Sequence, residues 1–178
     1  TVGMLPEYIN LVDVVVKGSL AVDRKTPVAL SVVTAKEIEE KLSTQEFPEI
    51  LKSLPSVYAT KEGGAFGDGR INLRGFETEN IAVMVNGVPM NEMEWGGIYW
   101  SNWSGLADVT RFIQVQRGLG ASKVSVPSVG GSINIVTNST NAVAGGSVSY
   151  GVGNDGYNKV AFNLSTGLLK NGWAMSIL

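Results

Sequence analysis

The chain has 178 residues, 44% of them apolar and 17% charged, enough for one well-packed domain of ~100 to 150 residues and a remainder too short for a second. A net charge of -2 gives no electrostatic footprint for a polyanion, so nucleic acid is not an expected partner. With no Cys and no His, thiol nucleophiles, the usual zinc clusters, disulfides and Ser-His-Asp catalysis are all excluded.

No stretch approaches the ~18 consecutive apolar residues of a membrane helix, whereas barrel strands need only ~10 alternating residues each. No basic and then apolar signal segment opens the sequence, so an exported protein would be met here in a mature or trimmed form. Residues 1–26 read as an extended leader whose apolar island is Val14-Val15-Val16. The β-branched and small residues at 28–33 suit a strand, and Thr34 with Glu37 makes a capping box that starts a helix through Ile38 and Leu42. A second helical turn is signalled by Ser43 with Glu46, then Phe47, Ile50, Leu51 and Leu54 at helical spacing; Pro48 is tolerated in its first turn and Pro55 ends it.

Gly63, Gly64, Gly67 and Gly69 make a loose loop, after which Ile71 with Leu73, and then residues 81–85, read as short strands. Asn86-Gly87 signals a hairpin, because both central residues of a type I′ turn need positive φ. Residues 91–104 hold Trp95, Tyr99, Trp100, Trp103 and two glutamates with no sustained period. Strands follow at 112–116 and 132–137, and the whole block to about Thr137 reads as an α+β domain with a short mixed sheet and small helices.

From Gly145 the strands lengthen between Gly and Asn turns. Val160, Phe162, Leu164, Thr166 and Leu168 alternate with Lys159, Ala161, Asn163, Ser165 and Gly167, as in a barrel wall. A soluble antiparallel sheet with one wet face gives the same alternation. Trp173, Met175 and Ile177 begin a third alternating strand that ends unpaired, an edge lipid does not tolerate, so the polypeptide is expected to continue. The expected division is a leader at 1–26, the α+β domain at 27–138, and a linker with the first antiparallel wall strands at 139–178.

Four segments carry a resemblance. Ile71-Asn72-Leu73-Arg74-Gly75-Phe76, Val83-Met84-Val85-Asn86-Gly87-Val88-Pro89, Ile113-Gln114-Val115-Gln116-Arg117-Gly118 and Val129-Gly130-Gly131-Ser132-Ile133-Asn134-Ile135-Val136-Thr137 resemble, in order and spacing, the plug domain of TonB-dependent receptors. Asn86 stands where the family usually has Asp, and Leu119 where it usually has Pro.

The resemblance implies a plug filling a transmembrane β-barrel of the ~22-stranded class. It implies a gate for active transport in the outer membrane of a Gram-negative bacterium, with no enzymatic activity and no cofactor. Arg74 and Arg117 would pair with carboxylates on the inner barrel wall, where a planar guanidinium fork fixes orientation. Gly75, Gly118, Gly130 and Gly131, with the Asn86-Gly87 turn, would shape the backbone around them.

Asp13, Val14, Val15 and Val16 resemble a TonB box, captured by strand addition to TonB with its inner-membrane energising complex. Other implied partners are outer-membrane lipid and a small-molecule or metal-chelate ligand, such as a ferric siderophore, haem, a vitamin or an oligosaccharide. Ligand contacts in the family come from outward plug loops, which makes Phe66, Asp68, Glu77, Glu79, Glu92, Glu94, Trp95, Tyr99 and Trp100 the candidates. The aromatics could stack on a sugar or aromatic ligand and the glutamates disfavour a strongly anionic one; packing of plug against barrel is the alternative use of the same aromatics.

Other signals are weaker. Gly118-Leu119-Gly120 lacks the third glycine of a dinucleotide loop, and the loop at 63–69 lacks the Lys-Ser/Thr of a P-loop. Glu92 and Glu94 at i, i+2 resemble a carboxylate pair for acid-base work or calcium, and catalysis there is not expected. A soluble carbohydrate-binding module with an aromatic loop, and a hydrolase using only carboxylates, are the competing classes.

Overall fold

The computed structural model describes residues 29–42, 45–62, 68–118, 128–138, 142–153 and 156–178. Strand β1 (Ala29–Thr34) runs into helix α1 (Ala35–Leu42) through the expected capping box. The Thr34 N–H and hydroxyl donate to Glu37 Oε2 at 2.8 and 2.9 Å, and the Glu37 N–H donates back to Thr34 Oγ1 at 3.4 Å. The helix buries Ile38 and Leu42. Helix α2 (Phe47–Ile50) carries Pro48 in its first turn, where the missing N–H costs nothing, and tightens into a 3-10 turn at Leu51–Ser53 before Pro55. Ser43, the cap expected for this turn, lies outside the described residues.

Strand β2 (Val57–Lys61) was not legible in the sequence; it pairs antiparallel with β3 (Gly69–Leu73), from Val57 opposite Leu73 to Lys61 opposite Gly69. Strand β4 (Ile81–Val85) turns at Asn86-Gly87 into the two-residue β5 (Val88–Pro89), with φ of 53° and 82° at the turn as a type I′ hairpin requires. The Asn86 side chain also ties this turn to the strand β7 (Gly131–Thr137), donating to Thr137 Oγ1 at 2.8 Å and accepting from the Thr137 N–H at 3.1 Å.

Strand β6 (Thr110–Arg117) completes a five-stranded mixed sheet in the order β1-β6-β7-β4-β5, in which β4 and β7 are parallel and the other neighbours antiparallel. One face of this sheet, with Val83, Ile113, Val115, Ile133 and Ile135, packs with Ile71, Leu73, Ile50 and Leu51 into a single core.

The remaining strands form a separate three-stranded sheet: β8 (Gly145–Val152), β9 (Asn158–Ser165) and β10 (Ser176–Ile177), all antiparallel. Val148 pairs with Phe162 and Tyr150 with Val160, and all four are exposed, as is Leu164. The third strand is shorter than the sequence suggested. Residues 169–173 fold into a turn, with the Leu169 N–H on the Trp173 carbonyl at 2.8 Å and the Gly172 N–H on the Leu169 carbonyl at 2.9 Å, so only Ser176–Ile177 pairs with β9.

Candidate functional site

Two groups of candidate residues converge in space. The first is a corner made by Arg74 and Arg117. Leu73 and Phe76 exchange both backbone hydrogen bonds at 3.0 Å, closing a two-residue turn in which Arg74 (φ 55°) and Gly75 (φ 83°) are both left-handed. The Arg74 N–H donates to the Ser56 carbonyl at 2.9 Å, and Arg117 Nη1 donates to the neighbouring Pro55 carbonyl at 3.2 Å. Two arginines 43 positions apart in sequence are thereby tied to one two-residue segment.

The glycines make this approach possible. Gly118 (φ 78°) lies beneath the Arg74 guanidinium, and Gly131 (φ 136°) sits where an added Cβ would fall 2.1 Å from the Gln116 carbonyl oxygen. The Gly118 N–H donates to the Gly130 carbonyl at 2.9 Å and the Gly130 N–H to the Asn80 carbonyl at 3.0 Å. Among the described residues neither guanidinium has a carboxylate within ion-pair distance.

The second group is a cleft of about 300 Å³ lined by Asp68, Glu77, Glu79, Trp95 and Tyr99, together with Arg70 and Glu62. It draws on three separate loops. Trp95 and Tyr99 stand 5.4 Å apart with their planes tilted by 59°, and remain 39% and 50% exposed. The Trp95 ring lies over Gly97, where any Cβ would collide with it. Asp68 Oδ1 accepts the Ser101 N–H at 3.1 Å, and Arg70 pairs with Glu62, so the cation of the cleft is already neutralised. An aromatic corner beside the carboxylates of Glu77 and Glu79 suits a ligand with a flat face that carries hydroxyls or positive charge.

Three candidates lie elsewhere. Trp100 is 2% exposed and stacks on Phe47 at 4.8 Å and 14°, so its ring belongs to the core and offers no face to a ligand. Glu92 and Glu94 do not line the cleft; Glu92 Oε2 instead accepts the N–H groups of Glu94 at 3.0 Å and Trp95 at 3.1 Å, shaping the turn that presents Trp95. Phe66 and the segment Asp13, Val14, Val15 and Val16 lie outside the described residues.

Sequence reasoning missed Asn91. Its side chain accepts the Val83 N–H at 2.8 Å and donates to the carbonyls of Ile81 at 2.9 Å and Gly96 at 2.7 Å, pinning the aromatic loop to the sheet. An amide that follows a hairpin, with two donors and one acceptor to spend, is the signal that could have found it.

A family model described as TonB-dependent Receptor Plug Domain matches residues 22–152. The chain is 30% identical over 141 residues to the ferric enterobactin receptor PirA of Pseudomonas aeruginosa, covering 72% of this chain and 19% of that protein. It is 33% identical over 141 residues to the vitamin B12 transporter BtuB of Vibrio vulnificus, covering 77% of this chain and 22% of that protein. The chain thus spans about a fifth of the length of the relatives it matches. Among solved structures, the pyoverdine outer membrane receptor FpvA from Pseudomonas aeruginosa superposes with a TM-score of 0.66 at 19% identity, over 84% of this chain and 21% of that one. The ferric yersiniabactin uptake receptor FyuA from Yersinia pestis gives 0.59 at 23% identity, over 82% and 22%. At those identities the solved structures establish the fold.

Proposed function

The chain belongs to the TonB-dependent receptor plug family, and on that premise we propose that it forms the gate and first wall strands of an outer-membrane transporter that takes up a scarce ligand with energy delivered through TonB. In this reading residues 27–138 are the plug and 139–178 lead into the barrel. Relatives named as receptors and transporters support transport over catalysis. A ferric siderophore, haem, a vitamin and an oligosaccharide are the cargo classes to test.

The observation that carries the proposal is the outer face of the strands after the plug. Val148, Tyr150, Val152, Val160, Phe162 and Leu164 form a contiguous exposed apolar surface on β8 and β9, which a soluble binding module would leave in water and a lipid-facing wall requires. Arg74 and Arg117, fixed on one corner, are then available to wall carboxylates, and the cleft of Trp95 and Tyr99 is the plug's share of the ligand site. Asp13, Val14, Val15 and Val16 serve as the segment that TonB captures.

The test is uptake of labelled ferric siderophore, haem, vitamin B12 and oligosaccharide by cells carrying the full-length protein, with and without TonB. Accumulation that needs TonB and is lost on deleting residues 14–16, with surface binding retained, supports the proposal. A full-length protein that is soluble and monomeric without detergent rejects it.

A further inference from the structure

The plug touches the wall strands through an ion pair that none of the four motifs contains. Strand β6 carries Arg117 at one end and at the other grows out of the 3-10 turn Leu106–Val109, which holds Asp108. Thr110 and Arg117 are seven strand steps apart, ~23 Å at ~3.3 Å per step. Asp108 Oδ2 accepts a hydrogen bond from Lys159 Nζ at 3.0 Å, and the two side chains are only 19% and 24% exposed.

Lys159 lies on β9, where Val160, Phe162 and Leu164 face outward, so the pleat turns Lys159 to the opposite, plug-facing side. Both members of the pair line a cavity of about 570 Å³ between the plug and the wall strands, with Glu46 on the same lining. Burial pushes the Glu46 carboxyl above its ordinary value, while the ammonium groups of Lys159 and then Lys61 pull it down. The other described ion pairs, Lys36–Glu40, Lys52–Glu49 and Arg70–Glu62, each join residues close in sequence within the plug. Asp108–Lys159 spans 51 positions and crosses from plug to wall.

We propose that Asp108 and Lys159 form a latch that seats the end of β6 remote from Arg117, with polarity opposite to the arginine corner: the acid is on the plug and the cation on the wall. The latch rests on the transporter reading above. An ammonium is a point charge on a four-carbon stem, so it follows small plug displacements that a bidentate guanidinium pair would not survive. Breaking it loosens one end of the plug while leaving the cleft of Trp95 and Tyr99 untouched.

The experiment uses the full-length protein in the outer membrane of a Gram-negative host, with vancomycin as the probe because its size excludes it from general pores. Asp108→Asn and Lys159→Met are each expected to raise vancomycin sensitivity about three-fold, the range of a partly shielded pair. The exchange Asp108→Lys with Lys159→Asp is expected to restore the unsubstituted level, which loss of packing could not do. Single variants as resistant as the parent, or an exchange as leaky as the two singles combined, would overturn the latch. Heat-modifiable migration in gels reports the barrel independently. If it is absent from the parent, the transporter reading falls and takes the latch with it; if it is present in every variant while sensitivity is unchanged, the latch alone falls.

Discussion

The guanidinium of Arg74 rests directly on Gly118: a Cβ at that glycine would lie 2.6 Å from Arg74 Nη1. The contact joins two motifs, since Arg74 follows β3 and Gly118 follows β6. Gly118→Ala is expected to cost ~1 to 2 kcal/mol, because its φ of 78° is left-handed and the guanidinium must move aside. Gly131→Ala is expected to cost more, ~3 kcal/mol, because the obstacle there is the Gln116 backbone carbonyl, which cannot rotate away. Thermal unfolding of the full-length protein in detergent checks the order; equal effects at the two positions would contradict it.

The capping box makes stability depend on pH at its acid end. Glu37 titrates below the ordinary carboxylate value of 4.5, first because the Thr34 N–H donates to it and then because the Thr34 hydroxyl does. A folded-state value below the unfolded one means that the carboxylate's contribution is complete above about pH 4.5 and is lost as pH falls through the lower value. Melting temperatures followed from pH 6 downward should show a steeper fall for the parent than for Glu37→Gln. Parallel curves would remove the linkage.

The aromatic residues of residues 91–104 should separate into two classes. Trp100→Ala removes a buried ring stacked on Phe47 and is expected to destabilise by ~3 to 5 kcal/mol. Trp95→Ala and Tyr99→Ala change half-exposed rings and are expected to shift stability by less than ~1 kcal/mol while weakening ligand binding about ten-fold. Paired melting and binding titrations distinguish the classes; a binding loss confined to Trp100→Ala would relocate the site.

On β9 the two faces should respond oppositely to polarity. Phe162 is 58% exposed on the outward face, and Phe162→Arg is expected to destabilise the membrane-inserted protein by ~2 to 4 kcal/mol if the residue lies near the bilayer midplane. Asn163→Ser, on the inward face, is expected to be close to neutral. Denaturant titration of the protein refolded in lipid vesicles measures both, and a neutral Phe162→Arg would count against a lipid-facing wall.

Short-range signals were the legible ones. The Thr34–Glu37 box and the Asn86-Gly87 turn formed because each is decided within four residues by hydrogen bonding or by φ. Strand β2 escaped notice because Val57–Lys61 has one buried residue, Ala59, and an exposed Tyr58, so its pattern is that of a two-stranded ribbon at the edge of the core. Residues 91–104 have no period from which a side-chain direction can be read, so the sequence leaves Trp100 open between ligand stacking and packing; its partner Phe47, 53 positions earlier, places it in the core. The cleft at Trp95 and Tyr99 was half legible: its residue types were in the sequence, while its assembly needed three loops brought together by the sheet.

Among the described residues, strand β1 is the outermost member of the five-stranded sheet on one side, bonded there only to β6, and its first residue, Ala29, sits opposite Arg117. Tension entering from the N-terminal side of the chain would therefore load the Ala29–Arg117 pairing before any other rung. Because β1 has a single neighbour among the described strands, it can be peeled away rung by rung while β6, β7 and β4 stay paired, so the sheet is built to yield mechanically along one margin and to keep its interior intact.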